Sequence, residues 1–368
     1  MQTHLVSSRV VALDILRGLT IALMILVNTP GSWSHVYGPL LHAEWNGVTP
    51  TDMVFPLFLF IVGAAMFYSL SDARSTGQIP WRRLLQRSGM LFLIGLLLNL
   101  YPFQTDPSHW RLMGVLQRIA VCYLLAAILI IRLRPLYLVR LCGAILLCYW
   151  GVLEIGSHDP YGLQANLVRQ LDLVLWGPNH LWQGKGIPFD PEGLLSTLPA
   201  LVTLLIGYLT CCGLAKQASA FAQINWLLKV SLPLLAVSWG WRVLQPFNKS
   251  LWTGSYVLFT GAIAMLLLMA IIWLWEDRQI RVGLNALRIY GSNPLVGYVG
   301  SQVVALVLTF NITANLNGVV MNGYEFGYSI MAQYLHPKDA SLLFAFGVVM
   351  LFYLVAWCMY QKRWFVKL

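Results

Sequence analysis

The sequence predicts an all-α fold: a polytopic helical membrane protein with about ten transmembrane helices and both termini in the cytoplasm. Three observations lead there. The chain is 58% hydrophobic and only 10% charged. Soluble domains run near roughly a quarter charged, so a soluble globule of this composition would lack the polar residues to cover itself. Apolar runs about as long as a bilayer crossing recur from one end to the other. The basic residues gather in alternate connections between those runs. A transmembrane barrel is excluded, because its short segments of alternating polarity are absent.

The runs place the spans at about 11–28, 53–70, 84–100, 112–131, 135–152, 194–213, 226–243, 252–275, 285–311 and 341–360. The first continues without a small-residue cleavage pattern, so it reads as a permanent span and not as a signal peptide. The second opens on "TPTD", where Thr49 or Thr51 caps the helix, Pro50 sits near its first turn and Asp52 favours the dipole. The next spans are joined alternately by short basic connections and by longer loops. The ninth is interrupted by "RIYGSNPLVGYVG". There Pro294 removes a backbone donor, giving either a simple kink or a broken helix that presents Ser292 and Asn293.

Arg9, then Arg74, Arg82 and Arg83, then Arg132 and Arg134, then Lys216, then Arg278 and Arg281, then the tail "QKRWFVKL" fall on one side. The positive-inside rule makes that side cytoplasmic. The net charge of +10 is therefore topological. It predicts membrane lipid as a partner and no nucleic acid. The opposite side carries the long loops, about 29–52, 101–111, 153–193, 244–251 and 312–340. His35, His42, His109, His158, His180 and His336 lie on them, with most of the acidic residues. The six cysteines all fall in apolar runs, which predicts core packing and neither a disulfide framework nor a metal site. No internal repeat or linker divides the chain, so residues 1–368 read as one membrane domain.

Polar groups in hydrocarbon are costly and often functional. Asn28 ends span one, as a helix cap or as part of a site. Arg118, about two turns into span four, needs an anionic partner: Asp106, Asp52 or a ligand phosphate. Asp14 and Arg17 are one turn apart, which fits an ion pair, with a phosphate role for Arg17 as the alternative. "HAEWNGVTPTD" is the densest stretch. Capping accounts for Thr49 through Asp52 but not for His42 beside Trp45 and Asn46. Histidine titrates near neutral pH and serves as general base or nucleophile.

Together these motifs carry a resemblance. "LDILRGLTIALMILVN" and "HAEWNGVTPTDMVFPLFLFIVG" are followed in order by "GVLQRIAVCYL", "FDPEGLLSTLPALVTLLIGYL", "PFNKSLWTGSYVLFTG", "YGSNPLVGYVG" and "MYQKRW". The series resembles heparan-alpha-glucosaminide N-acetyltransferase and its bacterial relatives, over nearly the whole chain. The resemblance implies transmembrane acetyl transfer. Acetyl-CoA would donate from the cytoplasm, and the amine of a glucosamine-type sugar would accept on the far side. It implies His42 as the catalytic histidine of the H-A-x-W-N-G motif, and Asn28 as a second active-site residue. The chain departs from the family enzyme in lacking an additional N-terminal lumenal region with its span, and in a longer segment between Asn28 and His42. That leaves heparan itself open as the substrate and points to a bacterial inner membrane.

On this reading His42 takes the amine proton, or accepts the acetyl group first. Asn28 donates to the thioester oxygen. Trp45, Asn46, Glu44, Asp52, Asp190 and Glu192 are the candidates to bind the sugar. Arg118, Arg17, Lys249 and Asn293 are the candidates to hold coenzyme A. Neither a glycine-rich phosphate loop nor a metal site is expected. The alternatives are an amino-sugar permease without catalysis and an O-acyltransferase of an envelope polysaccharide. A homodimer stays open.

Overall fold

The structure, a computed structural model, describes residues 2–104 and 106–366, with side chains from residue 11 onward. The basic positions Arg9 and Lys367 of the topology argument lie outside the described side chains.

Helix α1 (Gln2–Asn28) is followed by α2 (Val54–Ser69), the short α3 (Ser71–Thr76), α4 (Trp81–Leu100), α5 (Val115–Arg132) and α6 (Pro135–Gly156). Then come α7 (Leu167–Trp176), α8 (Thr197–Leu214), α9 (Ala220–Trp241) and α10 (Gly254–Ile272), which continues to Asp277 as a wider turn. The chain ends in α11 (Leu284–Tyr290), α12 (Pro294–Phe310), a hairpin of β1 (Thr313–Leu316) and β2 (Val319–Asn322), α13 (Gly323–Ala332) and α14 (Pro337–Gln361). Among the described residues nine helices are long and apolar enough to cross a membrane. Helices α11 and α12 are apolar enough together and meet at 75°, which makes ten crossings where the pair counts as one broken span. That bend is sharper than a proline kink, so the ninth predicted span is a broken helix.

Two of the helices that start before their apolar runs do so for one reason. Helix α9 begins at Ala220 and not 226, because the Ser219 hydroxyl accepts from the Ala222 N–H. Helix α14 begins at Pro337 and not 341, because His336 Nδ1 accepts from the Lys338 N–H and proline occupies the first turn. Polar caps carry a helix past the end of its hydrophobic run.

Helix α8 is the centre of the bundle, with 83% of it buried. It packs on α2 through glycines. A Cβ at Gly63 would meet the Leu204 carbonyl at 1.8 Å, and one at Gly207 would meet the Phe60 carbonyl at 1.9 Å. The two backbones touch because neither helix has a side chain there, the usual device where apolar burial cannot drive association. Helices α1 and α11 repeat it through Gly18 and Gly291. Helices α4, α6, α9 and α14 sit at the periphery and turn large apolar side chains outward, among them Leu93, Leu147, Leu232 and Leu354. Cys148 and Cys358 also face outward, so core packing holds for only four of the six cysteines.

The long loops are folded. Residues 157–196 cover the bundle end where α1 finishes and α2 begins. Asp172 of α7 is wholly buried in that cover. One of its oxygens accepts from the Leu194 N–H at 3.0 Å, and the other has no partner. Burial, with Asp190 adding, pushes its pKa up to about 6, against the Leu194 N–H and Arg118.

Two outcomes are expected. Gly207→Val drives a methyl into the Phe60 carbonyl and costs about 1–3 kcal/mol, read as a fall in the thermal midpoint in detergent. Gly143→Val, with open space around it, leaves the midpoint unchanged. The second concerns Asp172. Its folded pKa lies above its unfolded value near 3.8, so the folded state binds more protons between the two. Stability should then fall by about 3 kcal/mol as pH rises from 4 to above 6. Asp172→Asn should flatten that part of the profile. An unchanged slope would show that Asp172 titrates normally.

Candidate active site

At the Asn28 end of the bundle, a cavity of about 500 Å³ opens between α1, the start of α2, and the loops before α2, α8 and α10. His42 and Asn28 both line it. The local fold comes from Asp52. Thr49, Pro50 and Asp52 form a capping box on a single tight turn leading into α2. Asp52 Oδ2 accepts from the Ala43 N–H, the Thr49 N–H and the Thr49 hydroxyl, each at 3.0 Å. Its other oxygen, Oδ1, lies 2.7 Å from His42 Nδ1. Asp52 is 1% exposed. Asp52 lines the cavity where it was expected to meet the sugar, and both of its oxygens are already engaged, Oδ1 on the imidazole.

That contact assigns the ring chemistry. A carboxylate at Nδ1 fixes the proton there and leaves Nε2 as the basic nitrogen. The Lys249 Nζ lies 3.2 Å from Nδ1 and 3.3 Å from Nε2. A nitrogen equidistant from both stands over the ring face, because Cε1 occupies the in-plane position. With the proton on Nδ1, Nε2 is the accepting nitrogen, and Lys249 Nζ lies within hydrogen-bond distance of it. Lys249 was expected at coenzyme A. Here it stands beside His42, 3.9 Å from Asp52. Burial pushes its ammonium below the ordinary lysine range, while Asp52 and Glu192 act to raise it.

Lys249 is placed by a stitched loop. Asn248 Nδ2 donates to Asn46 Oδ1 at 3.0 Å, and Gly47 N–H donates to the Phe247 carbonyl at 2.8 Å. The Tyr256 hydroxyl donates to the Asp52 carbonyl at 2.5 Å. Asn46 is thus a loop fastener. Trp45 lines the cavity, donates from Nε1 to the Tyr161 carbonyl and packs edge-on against Phe189. The Glu44 side chain is exposed and outside the cavity lining, although its carbonyl accepts from Lys185.

Arg111 is the hub of the opposite wall. It donates to both oxygens of Asp190, at 2.8 and 2.9 Å, and to Glu192 Oε2 at 2.8 Å. Burial opposes its charge, but the two carboxylates outweigh it and push the guanidinium pKa further up. Asp190 is fully buried behind Arg111 and cannot reach a sugar. Glu192 lines the cavity and can.

A second cavity, about 790 Å³, lies toward the other end of the bundle. It shares Met24, Val115 and Tyr298 with the first. Arg17, Arg87 and Arg288 line it. Arg17 is held by Asp14 at 2.7 Å and lies 3.4 Å from the Gly291 carbonyl at the helix break. Both readings of Arg17 meet here, since it is an ion-pair partner on a cavity wall.

Two candidates for coenzyme A are occupied elsewhere. Arg118 is fully buried. It donates to the Gly193 carbonyl and the Ser196 hydroxyl and lies over the Trp252 ring, 5.1 Å from its centroid. Its partners are neither Asp52 nor Asp106, and no ligand phosphate can reach it there. Asn293 donates to the Trp364 carbonyl and accepts from the Val366 N–H, so it clasps the C-terminal tail. Its neighbours Ser292, Pro294 and Leu295 line the second cavity instead. Sequence reasoning passed over Arg111, Arg87 and Arg288. An arginine one turn inside an apolar run is the signal that could have found Arg87 and Arg288.

With this geometry in hand, comparison with known proteins is specific. Residues 9–176 match the family model described as heparan-alpha-glucosaminide N-acetyltransferase, catalytic. The heparan-alpha-glucosaminide N-acetyltransferase of Mus musculus is 24% identical over 98% of this chain and 61% of its own length. The Homo sapiens protein of that name is 27% identical over 80% of this chain and 53% of its own. The chain thus spans between about half and three-fifths of the relatives it matches. The matched region holds most of α1, all of α2, and Asn28, His42 and Asp52, and by sequence the chain resembles the heparan-alpha-glucosaminide N-acetyltransferase family.

Proposed function

We propose that this chain moves the acetyl group of acetyl-CoA across the membrane onto the amine of a glucosamine-type sugar. One observation carries the reading. Two cavities abut at Met24, Val115 and Tyr298, with three arginines lining one and His42 with Asn28 lining the other. Cations suit the phosphates of a nucleotide. From Arg17 to Asn28 helix α1 rises about 16 Å. The pantetheine arm between pyrophosphate and sulfur has thirteen bonds. At three bonds to each ~3.6 Å of extended chain it reaches roughly 15 Å. A nucleotide at the arginines would set its thioester near Asn28.

The positive-inside rule puts the arginine end in the cytoplasm, because the connections at that end hold Arg74, Arg82, Arg83, Arg132, Arg134, Lys216, Arg278 and Arg281. Both termini then lie there, and His42 faces the periplasm of a bacterial inner membrane. The donor enters from one side and the acceptor from the other.

The chemistry follows from the dyad. The neutral sugar amine attacks the thioester carbon, and the C–N bond forms as the carbonyl pair moves to oxygen. His42 Nε2 takes the amine proton, with Asp52 holding the imidazolium that results. The Asn28 amide and the Lys249 ammonium both line the cavity and suit the charge developing on that oxygen. The carbonyl re-forms, the C–S bond breaks, and the departing thiolate recovers the proton from His42. Direct transfer uses Nε2 as the base and needs no acetyl-histidine intermediate, which would form on the same nitrogen.

The test is purified full-length protein in nanodiscs with radiolabelled acetyl-CoA and glucosamine. Wild type should yield labelled N-acetylglucosamine. His42→Ala should abolish it, and Asp52→Asn should lower kcat by roughly 10²–10⁴-fold through the wrong ring tautomer. Sugar binding with no transfer and no affinity for coenzyme A would favour the permease. Transfer surviving in His42→Ala would sink the role given to His42.

A further inference from the structure

A third cavity, about 650 Å³, lies at the same end of the bundle, and apart from Asn28 its lining has no part in the chemistry above. Its walls are α12, the β1–β2 hairpin and α13, and it shares Asn28 and Trp33 with the His42 cavity. The hairpin that walls it is well specified. Thr313 pairs with Asn322 and Leu316 with Val319. Asn317 and Gly318 both take positive φ, at 53° and 87°, the backbone of a tight two-residue turn. The size falls within the roughly 300–1,000 Å³ of cavities that hold small organic ligands.

The lining has the chemistry of a sugar site. Trp33 stands between the two cavities with 62% of its surface exposed, an unusual place for so large an indole. Gln302 lines the cavity and its Nε2 is buried without a hydrogen-bond partner, an expensive condition that a ligand hydroxyl would relieve. Ser32, Thr309 and Asn322 add further hydrogen-bonding groups. The charge is the telling feature. Of the residues that line this cavity, Glu325 alone is charged, and Lys, Arg and His are absent. The lining holds no cation to pair with a sulfate or a uronate.

We infer that the α12–hairpin cavity is a second acceptor subsite, which takes the next neutral or amino sugar of an oligosaccharide whose terminal glucosamine amine stands at His42. The inference rests on the acetyl-transfer reading and adds a substrate class to it. The acceptor is an oligosaccharide without anionic groups, bound across Trp33, with Glu325 favouring a unit that carries an amine.

The experiment uses the full chain in nanodiscs with acetyl-CoA and three acceptors: glucosamine, the disaccharide of two glucosamines, and a disaccharide of glucosamine with a sulfated uronate. For wild type, kcat/KM should rise about tenfold from glucosamine to the diamine disaccharide and should not rise for the sulfated one. Gln302→Leu and Glu325→Gln should each lower the diamine disaccharide several-fold and leave glucosamine unchanged. Glu325 is exposed, so its variant reports on the subsite and not on folding. Equal kcat/KM for glucosamine and the diamine disaccharide would overturn the subsite while leaving acetyl transfer intact. So would a sulfated acceptor as good as the diamine. Transfer to none of the three would remove the acetyl-transfer reading, and the subsite with it.

Discussion

The site depends on one buried carboxylate. Asp52 brings a negative charge to the membrane edge, and its surroundings answer with two backbone N–H groups, a hydroxyl, an imidazole and a nearby ammonium. An isolated carboxylate in that position would be expensive, so the loop is obliged to fold around it. The Ala43 and Thr49 amides are donors because the chain from 42 to 52 closes into a compact turn. The same closure delivers His42 to the remaining oxygen. The loop between residues 246 and 253 then packs on this turn and sets Lys249 over the ring. One group thus caps α2, shapes the loop and fixes the tautomer of the candidate base. Removing its charge while keeping its shape separates the last role from the other two.

The bundle supplies the second constraint. Helix pairs joined backbone to backbone, α2 on α8 and α1 on α11, leave no room between them. Space has to appear elsewhere, and it appears along α1, between α2, α5 and the broken helix. The break at Pro294 frees α12 to diverge by 75° from α11, and the diverging wall carries Tyr298 to the point where the two cavities meet. A straight ninth helix of this length would run beside α1 throughout. The kink is therefore part of how the interior is hollowed, and the Asn293 clasp on the tail holds it.

The helical crossings were legible because hydropathy and length act residue by residue along the chain. His42 and Asn28 stood out through the resemblance, and the polarity of "HAEWNGVTPTD" marked the region before any family was named. What stayed hidden is set by partners distant in sequence. Asp52 looked like a cap or a sugar ligand because its pairing with His42 depends on how the turn closes. Arg118 looked like an unpaired charge because the groups that take its Nη2 lie about 75 residues on, at Gly193 and Ser196. Arg111 looked like an ordinary loop cation until Asp190 and Glu192 folded onto it. The hairpin and α13 were read as loop, since four-residue strands are too short to show a period.

The distribution of charge among the three cavities argues for a division of labour. The cavity at one end of α1 is lined by three arginines and suits a polyanion. The His42 cavity mixes Arg111, Lys185 and Lys249 with Asp52 and Glu192, so local charge is nearly balanced where bonds would change. The hairpin cavity has a single carboxylate. On the proposed reading, an anionic donor and a neutral or cationic acceptor would be sorted by sign before either reached the histidine. Sorting of this kind needs no moving part, because the cations at one mouth and the lone acid at the other act on each ligand as it approaches. A carrier that rocked one substrate between two faces would gain nothing from such opposed ends. For a transfer between two unlike substrates, the opposition is the physical basis for keeping each on its own side.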